Sequence, residues 1–121
     1  MAFQFENLEV YQRALDWVEI VEGLCEALKG KASYSLLDQL SRASLSIPLN
    51  IAEGNGRWHK GDKRNFFWFA RGSVFECVPI VQVLYRKKLI DEQKHADYYG
   101  QLDVIAKMLT NLIKSVEDLK R

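Results

Sequence analysis

The 121-residue sequence predicts an all-α fold: an antiparallel up-and-down four-helix bundle that occupies residues 1–121 as a single domain. Three observations carry that expectation. Apolar residues recur at steps of three and four through four segments, and short polar or glycine-containing stretches separate those segments. Seven glycines and two prolines leave little turn material, whereas Leu, Ala, Glu and Lys abound. At 48% hydrophobic, a chain of this length closes one core and has no room for a second.

The first helix is expected from Leu8 to Leu28. Leu8, Tyr11, Leu15, Val18, Val21, Cys25 and Leu28 mark one face, and Gly30 closes the helix. Val10, Trp17, Ile20 and Leu24 form a second apolar stripe, so this helix needs two partners. Ser35 is the expected cap of a second helix with Leu36, Leu40, Ala43, Ile47 and Ile51 on its core face, ending at or just beyond the Gly54 and Gly56 pair. Leu45, Leu49 and Ala52 add another stripe to it. The third helix starts after the polar loop HKGDKRN. It carries Phe66, Ala70, Ser73, Cys77, Ile80 and Leu84 on one face, with Phe67, Val74, Val78 and Val81 alongside, and Pro79 predicts a kink within it. After KKLID, the fourth helix has the cleanest period: Tyr98, Leu102, Ile105, Leu109, Leu112, Val116 and Leu119, supported by Ala106 and Ile113. Four such helices joined by short loops neighbour one another antiparallel.

The stretch SIPLNIAEGNGR, residues 46–57, sets a proline, an asparagine and a glutamate inside the apolar part of this pattern. Read locally, Ser46 caps a new helix with Pro48 in its first turn. Ala43, Ile47 and Ile51 nevertheless keep step through Pro48, so the expectation is one helix kinked at Pro48. The kink costs about 3 kcal/mol of local helix stability, which packing offsets. Ser44, whose carbonyl loses its amide partner there, is placed to compensate locally. Gln39, Arg42, Ser46, Asn50, Glu53 and Arg57 form a polar stripe between two apolar ones, and Ser73 and Glu76 share a face of the third helix. Polar groups in such positions persist only when hydrogen-bonded. The sequence therefore predicts a network linking Asn50 and Glu53 to Ser73, Glu76 or the backbone near Pro48. Setting helix register is then the role of Ser46, Pro48, Asn50, Glu53, Gly54, Ser73 and Glu76.

A formal net charge of +1 excludes a general attraction for polyanions, so any nucleic-acid surface must come from clustering. The charges do cluster. Glu6, Glu9, Asp16, Glu19, Glu22 and Glu26 line the first helix, whereas Arg57, Lys60, Lys63, Arg64 and Arg71 face Asp62 alone between residues 57 and 71. Cys25 and Cys77 lie far apart among apolar residues, without the spacing of a zinc site, redox motif or disulfide framework, as expected of buried thiols in a reducing cytosol. The N-terminus lacks the basic start and continuous apolar run of a signal peptide, and no segment is expected to reach the roughly 18 apolar residues of a membrane span. A cytoplasmic location without membrane contact is expected.

Arg64, Trp68, Arg71 and Phe75 fall at steps of four, three and four, interleaving guanidinium groups with aromatic faces as single-stranded RNA binding requires. Arg57, Lys60 and Lys63 add phosphate contacts. The candidate nucleic-acid-binding residues are thus Arg57, Lys60, Lys63, Arg64, Trp68 and Arg71. A competing reading buries Trp68 and Phe75 between protomers and leaves the cations on the rim, since arginine and aromatics are enriched at protein interfaces too. Arg86, Lys87 and Lys88 suit a helix C-terminus. Glu92-x-x-His95 occurs once, in a polar segment, whereas carboxylate-bridged di-metal bundles use that motif twice with further glutamates. His59 lies in a different loop, so neither a metal nor another cofactor is expected. Glu53 and Glu76 make an imaginable acid–base pair, but no nucleophile or oxyanion site accompanies them, and GNGR and RGS lack the strand-to-helix context of a phosphate loop. The expectation is no catalytic residue and no enzyme.

Ser46, Ile47, Pro48, Asn50, Ile51, Ala52, Glu53, Gly54 and Arg57 form one block, followed by a second of Ala70, Gly72, Ser73 and Glu76 within FFWFARGSVFE. With these blocks, and from LEVYQRALDWV to MLTNLIKSVEDL, the sequence resembles the four-helix-bundle proteins encoded by 23S rRNA intervening sequences in bacteria. That resemblance implies a ring-like homopentamer of up-down bundles, and extra apolar stripes on helices one and two fit it, since a monomer would leave them wet. A related fold is found in the accessory variability determinants of diversity-generating retroelements, basic pentameric barrels that bind a partner reverse transcriptase and nucleic acid. This chain departs from them in its near-zero net charge, and its blocks are those of the intervening-sequence branch. The resulting expectation is a non-enzymatic homo-oligomer that binds RNA, or a nucleic-acid enzyme such as a reverse transcriptase, through a basic surface. The alternative is a pure assembly or scaffold module of a mobile element with no nucleic-acid affinity.

Overall fold

The computed structural model describes residues 3–118. A 3-10 turn at Gln4–Asn7 leads into α1 (Glu9–Leu28), α2 (Tyr34–Asn55), α3 (Lys60–Arg86) and α4 (Glu92–Glu117), and no strand forms among the described residues. Sequential helices are neighbours in space. The α2–α3 and α3–α4 seams are extensive, and α1 packs chiefly on α2 with a thinner seam to α4, as an up-and-down four-helix bundle requires. Leu119, expected to extend the period of α4, lies outside the described residues.

The helix ends follow local chemistry, with two departures from expectation. Ser33, not Ser35, caps α2, its Oγ accepting from the Leu36 amide at 3.2 Å. The two serines offer the same hydroxyl, and the extended backbone falls at Ser33. The polar run expected as a loop before α3 is instead its first turns, because α3 begins at Lys60. Its polarity records solvent exposure of a helix and not irregular backbone. Asp91 caps α4 through the Lys94 amide at 2.8 Å. At the end of α1, Gly30 takes a φ of +81°, which suits a residue without Cβ. Lys88 holds the equivalent left-handed place after α3 (φ 62°), with the Leu89 amide returning to the Leu84 carbonyl at 3.0 Å and the Lys88 amide to Tyr85 at 2.9 Å.

Helix α2 runs continuously through Pro48, and α3 through Pro79. The core face of α1 differs from the one expected. Val10, Ala14, Trp17, Val21, Leu24 and Leu28 are buried, while Tyr11, Leu15, Val18 and Cys25 are only half-buried at the margin. Ala14 is decisive: it is too small to advertise itself in a hydrophobic pattern, yet its 0% exposure places it against a neighbouring helix. Trp17 occupies the centre. Its Nε1–H donates to Ser44 Oγ on α2 at 3.0 Å, Ser44 lies 3.6 Å from Cys77 Sγ on α3, and the ring meets Tyr98 of α4 edge-on at 5.7 Å. Ser44 thus directs its hydroxyl across the core instead of toward the backbone at Pro48.

Gly54 marks a close approach of α2 and α3. A Cβ there would lie 2.7 and 2.9 Å from ring carbons of the buried Phe67 and 3.0 Å from Phe66 Cβ. By length and composition α3 is apolar enough to cross a membrane, but it is a bundle helix wedged between α2 and α4. Much of its apolar character faces outward.

Gly54→Ala should therefore lower stability by about 1–3 kcal/mol through overpacking, whereas Gly72→Ala, with open space around its Cβ, should leave it equal or up to about 1 kcal/mol higher. Thermal melts of both variants at low protein concentration check the contrast. A second expectation concerns alkaline pH. Burial pushes the Cys77 and Cys25 thiols upward, and burial, with repulsion from Asp97 and Asp91, does the same to the Tyr98 hydroxyl. The unfolded chain then ionises first, so this stabilisation is complete below the ordinary thiol value of 9.0 and is lost as pH rises beyond it. Urea midpoints should fall above pH 9, less steeply in Cys77→Ala; a midpoint that rises there would contradict the assignment.

Candidate nucleic-acid interface

Two polar constructions flank α3. On the α2 side, Asn50 Nδ2 donates to Ser46 Oγ at 2.9 Å and to the Ser46 carbonyl at 2.8 Å. Ser46 and Ser73 hydroxyls meet at 2.7 Å, and Ser73 Oγ donates to the Phe69 carbonyl at 3.1 Å. Each hydroxyl has one proton, so a single direction satisfies the set: Asn50 to Ser46, Ser46 to Ser73, Ser73 to the α3 backbone. Gln39 Nε2 ties the same helices one level away by donating to Glu76 Oε2 at 2.9 Å. Glu53, expected in this network, instead pairs with Arg57 at 2.9 Å, both about half exposed. Glu53 and Glu76 accordingly have separate partners.

The six expected nucleic-acid residues divide into two groups. Arg71 donates through Nε to Thr110 Oγ1 of α4 at 3.0 Å, and its guanidinium lies 4.4 Å from the Phe75 ring centre and 5.3 Å from that of Trp68. Of the expected ladder Trp68, Arg71 and Phe75 come together, and Arg71 leans on α4 and has its acceptor within the chain. Arg57, Lys60, Lys63 and Arg64 gather where α2 turns into α3. There Arg57 stacks over Phe66 at 4.6 Å, and Lys63 Nζ donates to the Asn55 carbonyl at 2.8 Å, joining the two helix ends. Within the turn at 56–59, Trp58 is 77% exposed. Sequence reasoning passed over it because a single ring in a turn has no period; the usable signal was a tryptophan between Arg57 and Lys60.

The apolar surface is also displaced from expectation. Val10, Trp17 and Leu24 of the second α1 stripe are buried and Ile20 packs against the core, so that stripe is covered within one chain. Along the middle of the bundle the exposed apolar groups include Leu45 and Leu49 of α2 and Trp68, Phe69 and Phe75 of α3, of which Leu49 is 59% and Phe69 57% exposed. His95 stacks on Tyr85 at 4.6 Å, and among the described residues no three His, Cys, Asp or Glu side chains converge on a common point.

A family model described as 23S rRNA-intervening sequence protein matches residues 6–111. In three dimensions the chain is similar to a protein with unknown function from the S23 ribosomal protein family of Bacteroides thetaiotaomicron VPI-5482, with a TM-score of 0.82 at 22% identity, over 87% of this chain and 98% of that one. No curated protein matches the sequence significantly.

The hydrogen-bond direction makes a separable prediction. Asn50→Ala leaves Ser46 without its donor at a half-buried site and should cost about 1–3 kcal/mol, whereas Glu53→Ala removes an exposed pair one helical turn apart and should cost under about 0.5 kcal/mol. Equal urea midpoints for the two variants would show that the seam is solvated.

Proposed function

The chain belongs to the 23S rRNA-intervening sequence protein family, and on that premise we propose that it is a non-enzymatic, self-assembling bundle that binds RNA through its α2–α3 corner. The observation that supports this is charge segregation. Four cations, Arg57, Lys60, Lys63 and Arg64, stand with Asp62 as the one acid between residues 57 and 64, while Glu9, Asp16, Glu19, Glu22 and Glu26 are exposed along α1. In a chain of net charge +1, polyanion attraction rests on local clusters, of which that corner joins cations to aromatic rings, and the acidic face orients the molecule away from phosphate.

Self-assembly is the companion proposal. Leu45 and Leu49 on α2 and the rings of Trp68, Phe69 and Phe75 on α3 are unlike apolar patches on one chain. Contacts between unlike patches are head-to-tail and give a ring when the rotation between copies closes, and five copies is the number that the family resemblance implies. This reading has the protein acting in the cytoplasm, in keeping with its two free cysteines. A second reading, an assembly module with no nucleic-acid affinity, is favoured by one observation: Arg57 and Arg71 already have acceptors within the chain.

Light scattering with RNA titration tests both halves. Assembly predicts a mass several-fold that of one 14.0 kDa chain. About four phosphate contacts on a single strand predict that affinity falls roughly 50-fold over a fourfold rise in salt, and Lys60→Glu with Arg64→Glu should abolish binding. Assembly without salt-dependent RNA binding establishes the module reading; RNA captured only through an added nucleic-acid enzyme, such as a reverse transcriptase, makes the corner a protein site.

A further inference from the structure

We infer that the turn between α2 and α3 is a base-stacking subsite for single-stranded RNA, with the Trp58 indole as platform and the neighbouring cations as phosphate contacts. This rests on the RNA-binding reading above and names the group that touches a base.

The argument starts from exposure. Tryptophan has the largest apolar surface of any side chain, and the chain places its three very differently: Trp17 is fully buried, Trp68 is 46% exposed and Trp58 is 77% exposed. The turn that displays Trp58 is short and anchored. The Gly56 amide returns to the Ala52 carbonyl at 3.1 Å, the Arg57 amide to Gly54 at 3.2 Å and the Lys63 amide to His59 at 3.0 Å. The Lys63 side chain closes the far side on the Asn55 carbonyl at 2.8 Å. A ring held on such a turn is presented to solvent without the ordering cost of a flexible loop.

The surroundings select the occupant. Residues 55–65, NGRWHKGDKRN, hold four Lys or Arg, one acid and no aliphatic side chain larger than a glycine hydrogen. A membrane-inserting turn would set aliphatic groups beside the tryptophan; here the segment supplies cations. One flat ring among phosphate-binding groups matches an unpaired base on its backbone, since every base offers a π face and a duplex hides it. Stacking of this kind is indifferent to base identity, so the site prefers single strands and shows little sequence preference. Asp62, on the first turn of α3, is the one repulsive group in the segment.

The test titrates the full chain with a short single-stranded oligouridylate at low salt, following tryptophan emission and the anisotropy of the labelled strand. Expected is quenching in the parent protein that disappears in Trp58→Ala, with binding at least about fivefold weaker, and Trp58→Phe retaining most of the affinity. Binding to the same strand annealed into a duplex should not depend on Trp58. Unaltered melting of both variants shows that the fold is intact. Trp58→Ala binding as tightly as the parent would overturn the subsite; if Lys60→Glu with Arg64→Glu still removes binding, the RNA reading survives without it. No oligouridylate binding by the parent would overturn both, as would Trp58-dependent binding to anionic vesicles in place of RNA.

Discussion

A tryptophan N–H buried at the centre of a helical bundle must find an acceptor, and the organisation of this protein follows from where Trp17 finds one. Ser44 supplies it from α2 at 3.0 Å, with Cys77 of α3 beyond and Tyr98 of α4 against the ring. One side chain thereby meets groups from every other helix. An unsatisfied indole there would cost about 1–3 kcal/mol, a substantial share of the stability of a domain this size. The constraint is also directional. It permits one rotation of α1 about its axis, which buries Ala14 and Val21 and leaves Leu15 and Val18 at the margin.

With α1 and α2 placed by that bond, the α2–α3 seam is governed by two short-range features. Gly54 lets the helices approach at one end, where Phe67 fills the space a Cβ would take. Along the middle, the relay from Asn50 through Ser46 to Ser73 gives the seam a polar register that apolar packing alone does not specify. A register slip would break its one bond across the seam, Ser46 to Ser73, whereas a purely apolar seam tolerates repacking. Pro48 and Ser44, both buried, complete α2's inner surface toward the centre.

Because its inner face is used in this way, α3 turns much of its apolar character outward, and α2 does the same with Leu45 and Leu49. The polar surface is equally uneven, with acids along α1 and cations at the α2–α3 corner. The exposed apolar groups lie along α2 and α3, and the cations gather where those two helices join. Arg71 shows why position in the fold matters more than residue type. It has the neighbours of a nucleic-acid ladder, yet Thr110 holds it, while the less patterned corner around Trp58 stands open to solvent.

By itself the sequence determined the helix count, the continuity of α2 through Pro48 and the two blocks that mark the family, because each rests on helical periodicity or on short contiguous motifs. Only the tertiary structure decided which stripe of α1 is the core, that Ser44 serves Trp17, that Asn50 joins the relay while Glu53 turns to Arg57, and that Trp58 is displayed. The first two share one physical reason, while Trp58 sits in a turn that helical periodicity does not describe. Periodicity sets the angular spacing of side chains around one axis, but not the rotation of that axis against its neighbours. Rotation is settled by small residues such as Ala14 and Gly54, which carry little hydrophobic signal, and by which acceptor lies within 3 Å of a donor on another helix.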